Sequence, residues 1–217
     1  MTSEGDTPKI LASLQGGAWL DPSRGKLPIN WGMTPQLALL FPAIAEYYYD
    51  SATENDYFVC GPSGSGYLYP NEVPEPGAFF ERTGRELTLL DLTEVECWLH
   101  YCRPVYESYA TLSRIKGFSI PGGPRPHTFT ETGAVVCGRD ATLNYVKPAI
   151  GKEGLLNAIV KAAGNRPKPS FDTVFLVPDA QEGNPAGGGG FSPSELLWVA
   201  ERLPQGFKVV TLSLIHI

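Results

Sequence analysis

The chain has 217 residues, which is enough for one domain of barrel size with a substantial core. Charged residues make up 18% of the sequence and aromatic residues 11%, and this composition favours a packed globular chain over a disordered one. The formal net charge is −6, and the sequence contains no run of Lys and Arg that could follow the phosphates of a nucleic acid. We therefore expect no nucleic-acid partner.

The cysteines and the apolar runs argue against several other kinds of site. The four cysteines show no Cys-x-x-Cys spacing, so the sequence indicates neither a zinc site nor a redox pair. Three of them lie in apolar runs, and we expect buried free thiols. No stretch approaches the roughly 18 apolar residues of a membrane span. We expect no membrane span, no metal and no cofactor.

Both ends of the sequence indicate a fragment. In a (β/α) barrel a carboxylate such as Asp6 would stand at the end of a strand, yet only a few residues precede it. We therefore expect the first strand and the last helix of such a barrel to be truncated. Residues 212–217 resemble a translated sequencing adapter, which leaves residues 1–211 as a single barrel domain. The start does not resemble a signal peptide, and a secreted location is expected only if the complete gene encodes one.

Strand patterns alternate with helix patterns along most of the chain. Residues 7–25 are expected to form a long loop with a helical turn. Short apolar runs rich in aromatic and β-branched residues predict strands at 27–31, 57–60, 94–100, 115–120, 134–137, 173–177 and 207–210. The segments between them predict helices at 35–50, 77–91, 104–114, 151–164 and 192–203. Pro42 is expected to kink the first helix, and Ser192 with Glu195 forms a capping box at the last.

This alternation predicts parallel strands joined by crossover helices. Counting the truncated first strand gives eight strands, the number in a closed (β/α) barrel of the TIM type. The connection between the strands at 115–120 and 134–137 shows no helix, so we expect an α/β fold with an irregular barrel. An open doubly wound sheet is the alternative.

The most distinctive stretch is the loop after the strand at 57–60. Three glycines occur within six residues, at 61, 64 and 66, and two tyrosines follow. Glycine permits positive φ or a close approach of the backbone to a ligand. A phosphate site is disfavoured, because no Gly-Lys-Ser/Thr follows and three prolines within seven residues forbid an immediate helix. The loop suits a flat ligand rich in hydroxyl groups, or it is a turn whose tyrosines cover the core.

This loop reproduces the complete motif that names a known family. The motif is Gly-x-Gly-Tyr-x-Tyr-Pro, and here it reads Gly64-Ser65-Gly66-Tyr67-Leu68-Tyr69-Pro70. The chain therefore resembles the GxGYxYP family, whose members are classed as candidate glycoside hydrolases. Segments 26–35 and 55–59 also look like that family's flanking sequences, and segment 3–7 resembles its Ser-Asp-Gly-Asp-Asn stretch. In that stretch Glu4 keeps a carboxylate, whereas Thr7 stands in place of an Asn.

The resemblance implies hydrolysis of a glycosidic bond in an oligosaccharide or polysaccharide, which needs no cofactor. Such hydrolysis uses two carboxyl groups, one as the acid and one as the nucleophile or base. We assign catalysis to Asp6 together with Glu4 or Glu72. Aromatic faces stack on sugar rings, and the residues expected to bind substrate are Trp31, Gly64, Gly66, Tyr67, Tyr69 and Asp140. Asp179 is a further carboxylate in a loop after a predicted strand.

Each candidate residue also has a structural explanation. Glu72 lies between prolines and is equally well explained as a solvated loop charge. Asp140 beside Arg139 is better explained as a structural ion pair, and Trp31 equally well as a lid on the core. For the whole protein, the alternative is a non-catalytic carbohydrate-binding domain on a degenerate barrel, which Thr7 favours.

Overall fold

The structure of the chain is a computed structural model that describes residues 7–98, 102–121, 123, 127–140, 142–143, 146, 150–164, 168–177 and 190–212. The strands are β1 (Ile29–Met33), β2 (Asp56–Cys60), β3 (Glu94–Glu96), β4 (Gly117–Pro121), β5 (Thr128–Phe129) and β6 (Val135–Arg139). The helices are α1 (Pro8–Ile10), α2 (Gly16–Trp19), α3 (Leu37–Leu40), α4 (Pro42–Ser51), α5 (Gly77–Leu89), α6 (Arg103–Ser113), α7 (Gly151–Gly164) and α8 (Pro193–Ala200). A π-helical turn at Leu11–Gln15 joins α1 to α2, and a 3-10 turn lies at Pro70–Glu72. None of these described helices has the length and apolar character needed to cross a membrane.

The six strands form one mostly parallel sheet in the order β1-β2-β3-β4-β6-β5. The strands β1 to β4 and β6 are parallel, and β5 pairs antiparallel with β6 at the edge. A doubly wound sheet reverses its strand order at a switch point, whereas these parallel strands advance in one direction. The sheet is not closed among the described residues, so the fold is mixed α/β and the predicted barrel is not confirmed.

Two of the predicted strands are wrong. Residues 173–177 contribute only an isolated parallel bridge, between Val146 and Leu176. The physical reason is that β5 occupies the edge of β6 where a further parallel strand would pair. Residues 207–210 form no strand and do not pair with β1. Instead, these residues and Asn30 of β1 line a cavity of about 610 Å³.

The other predicted strands that the structure describes are confirmed, with shifted ends. The strand predicted at 94–100 is the shortest of these, because β3 covers only Glu94–Glu96. Residues 99 and 100 of that prediction lie outside the described residues. The helix missing between β4 and β6 is also as predicted within the described part, where the two-residue strand β5 stands in that connection.

The predicted loop at 7–25 is instead largely helical. The helix α1, the π-helical turn and α2 follow one another without a break over residues 8–19. Thr7 caps this segment, since its side chain accepts a hydrogen bond from an N–H of the first turn. The glycine pair at 16 and 17 lowers helix propensity, but the burial of Trp19 in the core outweighs it.

The helix predicted at 35–50 is divided in two. The helix α3 ends at Leu40, and α4 begins at Pro42. Between them Phe41 has φ −145° and ψ 59°, outside the helical region. Proline pushes the residue before it out of the α region and offers no N–H to the preceding turn. The predicted kink at Pro42 is therefore a complete break.

The two faces of the sheet differ in chemistry. Helices cover one face, where Trp31, Val95 and Phe118 belong to the main apolar core. Successive residues of a strand point to opposite faces. The strand register therefore places alternate residues on the other face, here called the inner face: Asn30, Glu94, Glu96, Ser119, Cys137 and Arg139. Carboxylates and a guanidinium thus meet on one side of the sheet.

The capping box predicted for the last helix is confirmed. Ser192 Oγ accepts a hydrogen bond from the Glu195 N–H at 3.2 Å, and the Glu195 carboxylate accepts one from the Ser192 N–H at 2.9 Å. Because the cap satisfies N–H groups that have no helical partner, we expect Ser192→Ala to lower the free energy of unfolding by about 1 kcal/mol. Urea denaturation measures this change.

The control for the cap is Ser170→Ala, at an exposed serine outside any described helix. This variant should change the free energy of unfolding by less than about 0.5 kcal/mol. Equal losses in the two variants would show that the cap contributes nothing specific.

Candidate functional site

The base of the motif loop is fixed to the helices behind the sheet. We call residues 61–70, which follow β2, the signature loop. The Ser65 N–H donates to Thr83 Oγ1 at 3.0 Å, and the Ser65 hydroxyl donates to the buried Glu86 carboxylate. On the other side, Gln36 Nε2 donates to the Ser65 carbonyl at 2.8 Å. These contacts hold the loop in one conformation as it leaves the sheet.

The two motif glycines have different surroundings. Gly64 has φ +125°, and a Cβ there would lie 2.3 Å from Tyr109 Oη and 2.6 Å from Thr83 Oγ1. Tyr109 Oη also donates a hydrogen bond to the Ser63 carbonyl at 2.6 Å. Gly66 has φ +148°, and nothing lies within 4 Å of its Cβ position. The close approach at Gly64 is thus to the protein's own helices, whereas Gly66 faces open space.

An aromatic edge lies at the tip of the signature loop, and we define it as Tyr67, Tyr69 and Trp98. Tyr67 is 53% exposed and Tyr69 is 44% exposed, with ring centroids 6.4 Å apart in an edge-to-face arrangement. The half-buried Trp98 ring lies 6.3 Å from Tyr67. Trp98 was not predicted as a site residue, because the strand predicted at 94–100 contains it. The observed β3 ends at Glu96, so Trp98 instead follows the strand by two residues.

Only some of the predicted carboxylates fall in the described part of the chain. Glu4, Asp6 and Asp179 lie outside the described residues. Glu72 is exposed at the end of the 3-10 turn that follows the signature loop. Asp140 follows β6, and its Oδ1 accepts a hydrogen bond from the Thr142 N–H at 2.7 Å. Glu72 therefore follows Tyr69 by three residues, and Asp140 lies at the end of another parallel strand.

Trp31 is a core residue. Its side chain is 1% exposed, and its Nε1–H donates to Asp56 Oδ1 at 2.8 Å. The Trp19 ring packs edge-on at 5.1 Å. Arg24 pairs with the same Asp56 carboxylate, so the Trp31 indole N–H is bound to a carboxylate that is itself paired within the protein. This placement favours the core explanation of Trp31 over contact with a sugar.

A buried ion pair on the inner face was not predicted. Arg139 Nη1 lies 3.3 Å from Glu96 Oε1, and both side chains have no exposed surface. The Arg139 guanidinium carbon also lies 4.1 Å from the centre of the Phe175 ring. Burial lowers the pKa of Arg139, and the Glu96 charge opposes that shift. Sequence adjacency had suggested a pair with Asp140, but the strand register brings Glu96 to the guanidinium.

Three of the four cysteine thiols are unsuited to nucleophilic chemistry. All four cysteines are free, and Cys60, Cys97 and Cys137 are buried. Burial raises the pKa of the Cys60 and Cys97 thiols, and it raises the pKa of Cys137 to about 12. These thiols therefore stay protonated at neutral pH. Among the residues that the structure describes, no cluster of three or more His, Cys, Asp and Glu side chains could hold a metal.

The fold and the signature loop define an α/β protein whose motif follows a parallel strand. A comparison of the sequence with known protein families agrees with this motif. Residues 1–136 match the family described as GxGYxYP putative glycoside hydrolase C-terminal domain. This match covers more than half of the chain, so the chain belongs to that family, and the resemblance inferred from the motif is confirmed.

One solved structure supports the fold. It is a crystal structure of a putative hydrolase from Bacteroides thetaiotaomicron VPI-5482, with a TM-score of 0.66 and 22% sequence identity. The match covers 76% of this chain and 34% of that protein, so the chain spans about a third of its length. A likeness at this identity concerns the fold alone. No curated protein shows a significant match.

Proposed function

We propose that the chain is part of a glycoside hydrolase that cleaves glycosidic bonds in an oligosaccharide or polysaccharide. In this proposal Asp6 is one member of the carboxyl pair, and Glu4 or Glu72 is the other. One group protonates the leaving oxygen, and the other attacks the sugar or activates water. Membership of the family supports the hydrolase class.

The observation that carries the proposal is the aromatic edge on a fixed loop. The contacts of Ser65 hold the base of the signature loop, and the Tyr67 and Tyr69 rings stay exposed at its tip. Aromatic rings held in place lose little conformational entropy when a ligand binds. Their faces stack on the apolar faces of sugar rings, and their hydroxyl groups can hydrogen-bond to sugar hydroxyls. Because Trp31 is buried, it takes no part in this proposed contact.

We further propose that the sheet is a segment of an irregular (β/α) barrel. The parallel strands follow one another in sequence order without the reversal of a doubly wound sheet. In barrels of this type, loops after the strands carry the active site. The signature loop, Trp98 and Asp140 all follow the carboxyl ends of parallel strands.

The sugar contact is tested with Tyr67→Ala and Tyr69→Ala. We expect each variant to weaken binding of a recognised oligosaccharide about tenfold, because each removes a stacking face at the loop tip. Titration calorimetry with a panel of neutral and acidic oligosaccharides measures the affinity. The matched control is Tyr47→Ala on α4, where the tyrosine is 49% exposed and lies outside the site. Equal losses for Tyr47→Ala and the loop variants would contradict the proposal.

A second candidate function is a non-catalytic carbohydrate-binding domain on a degenerate barrel. It is favoured by Thr7, whose Oγ1 accepts the Ile10 N–H at 3.3 Å and so serves as a helix cap. The family has an Asn at this position, and a capping Thr offers no amide to a sugar hydroxyl. Two measurements distinguish these functions. If the protein only binds carbohydrate, an added oligosaccharide protects Tyr67 and Tyr69 from chemical modification, but no reducing ends are released.

A further inference from the structure

Arg139 is the most unusual group outside the site described above. Its side chain has no exposed surface, and Glu96 takes only the Nη1 side of its guanidinium. The Nε and Nη2 atoms are also buried, and neither has a hydrogen-bond partner in the described part of the chain. A buried donor on a charged group is costly to leave unpaired, so this arrangement calls for an explanation.

The two unpaired atoms share one edge of the guanidinium plane. The N–H bonds of Nε and Nη2 run parallel along that edge, which is the fork that holds a carboxylate through two hydrogen bonds. The Phe175 ring covers one face of the group at 4.1 Å, and Glu96 lies at Nη1. Among the described residues, the Nε and Nη2 donors are thus the part of Arg139 that can still bind a planar oxyanion.

A second polar atom lies on the same face. Ser119 Oγ is buried and has no hydrogen-bond partner among the described residues. The register pairs Ser119 of β4 with Cys137 of β6, two residues before Arg139. The side chains of Ser119 and Arg139 therefore project from neighbouring strands on the inner face. An oxyanion with a neighbouring hydroxyl group would suit this combination of donors.

We propose that the Nε–Nη2 edge of Arg139 binds the carboxylate of an acidic sugar, so that the substrate is a uronic-acid-containing glycan. This inference rests on the proposed function. A carboxylate is planar and carries a single negative charge, so it matches the fork of a single guanidinium. Repulsion from Glu96 keeps the affinity modest. Because the guanidinium is fully covered, neighbouring groups must move aside, and association is slower than the diffusion limit.

The direct test is the NMR signal of the Arg139 Nε–H in the whole protein, assigned by through-bond correlations to the Arg139 backbone. The probes are glucuronate, its methyl ester, glucose and glucose 6-sulfate. We expect glucuronate to shift the signal and the uncharged probes to leave it unchanged. An unchanged signal with glucuronate, or an equal shift with glucose 6-sulfate, would overturn the assignment of a carboxylate site.

A variant measurement gives an independent readout. Arg139→Lys keeps the positive charge but loses the fork, so glucuronate affinity should fall about tenfold while glucose affinity stays the same. Arg202→Lys, at a partly exposed arginine after α8, should leave both affinities unchanged. If Arg139→Lys fails to fold, the signal of the unmodified protein still decides the question.

The outcomes also distinguish this inference from the proposed function. Hydrolysis of neutral glycans with an unshifted Arg139 signal would overturn the acidic substrate and keep the hydrolase. A shifted signal without hydrolysis of any glycan would keep the carboxylate site and contradict the hydrolase.

Discussion

Replacing Gly64 with Ala is expected to lower the free energy of unfolding by about 3 to 5 kcal/mol. Two costs combine at this position. The φ of +125° is a backbone conformation that residues with a Cβ rarely adopt. The new methyl would also lie 2.3 Å from Tyr109 Oη and 2.6 Å from Thr83 Oγ1, so packed side chains on α5 and α6 would have to move. Urea denaturation measures the loss.

The matched control for Gly64→Ala is Gly66→Ala, two residues along the same loop. Gly66 also has a positive φ, of +148°, but no atom lies within 4 Å of its Cβ position. This variant should therefore show the backbone cost alone, about 1 to 2 kcal/mol. If the two variants lose the same stability, the packing of the signature loop against α5 and α6 does not explain the need for Gly64.

Breaking the buried ion pair is expected to cost nearly as much. Glu96→Gln leaves the Arg139 charge buried without its counterion, and we expect a loss of about 3 to 5 kcal/mol in the free energy of unfolding. Arg139→Met removes the guanidinium from beside the buried Glu96 carboxylate, and this variant should lose a similar amount of stability. The double variant removes both charges, so it should be more stable than the sum of the two losses predicts.

The control for the buried pair is an exposed one. Arg202 Nη1 lies 3.6 Å from the Glu201 carboxylate, and the two side chains are 47% and 61% exposed. Glu201→Gln should change the free energy of unfolding by less than about 1 kcal/mol, because water screens the pair. Strictly additive losses in the Glu96 and Arg139 double-mutant cycle would show that the pair does not act as a unit.

The local features of this fold could be predicted from the sequence because short stretches determine them. The strand at 57–60 has aromatic and β-branched residues between turn residues, and β2 forms there. The capping box at Ser192 needs only four residues, and it is present as predicted. The signature loop was identified by its motif, and its position after a parallel strand is confirmed.

The failures concern interactions between residues far apart in the chain. The segment at 8–19 is predicted from the sequence as part of a long loop with a helical turn, but burial of Trp19 keeps it helical. The run at 173–177 has the composition of a strand, yet β5 occupies the edge of β6 at which it would have paired. Glu96 and Arg139 are 43 residues apart, and only the register of β3, β4 and β6 brings them together.

The proposed cleavage of glycosidic bonds is tested most directly by measuring the release of reducing ends from a panel of oligosaccharides by the complete protein. We predict release from at least one oligosaccharide, and loss of that release in Asp6→Asn with oligosaccharide binding retained. No release from any oligosaccharide, combined with protection of Tyr67 and Tyr69 from modification, would contradict the hydrolase and leave a carbohydrate-binding domain.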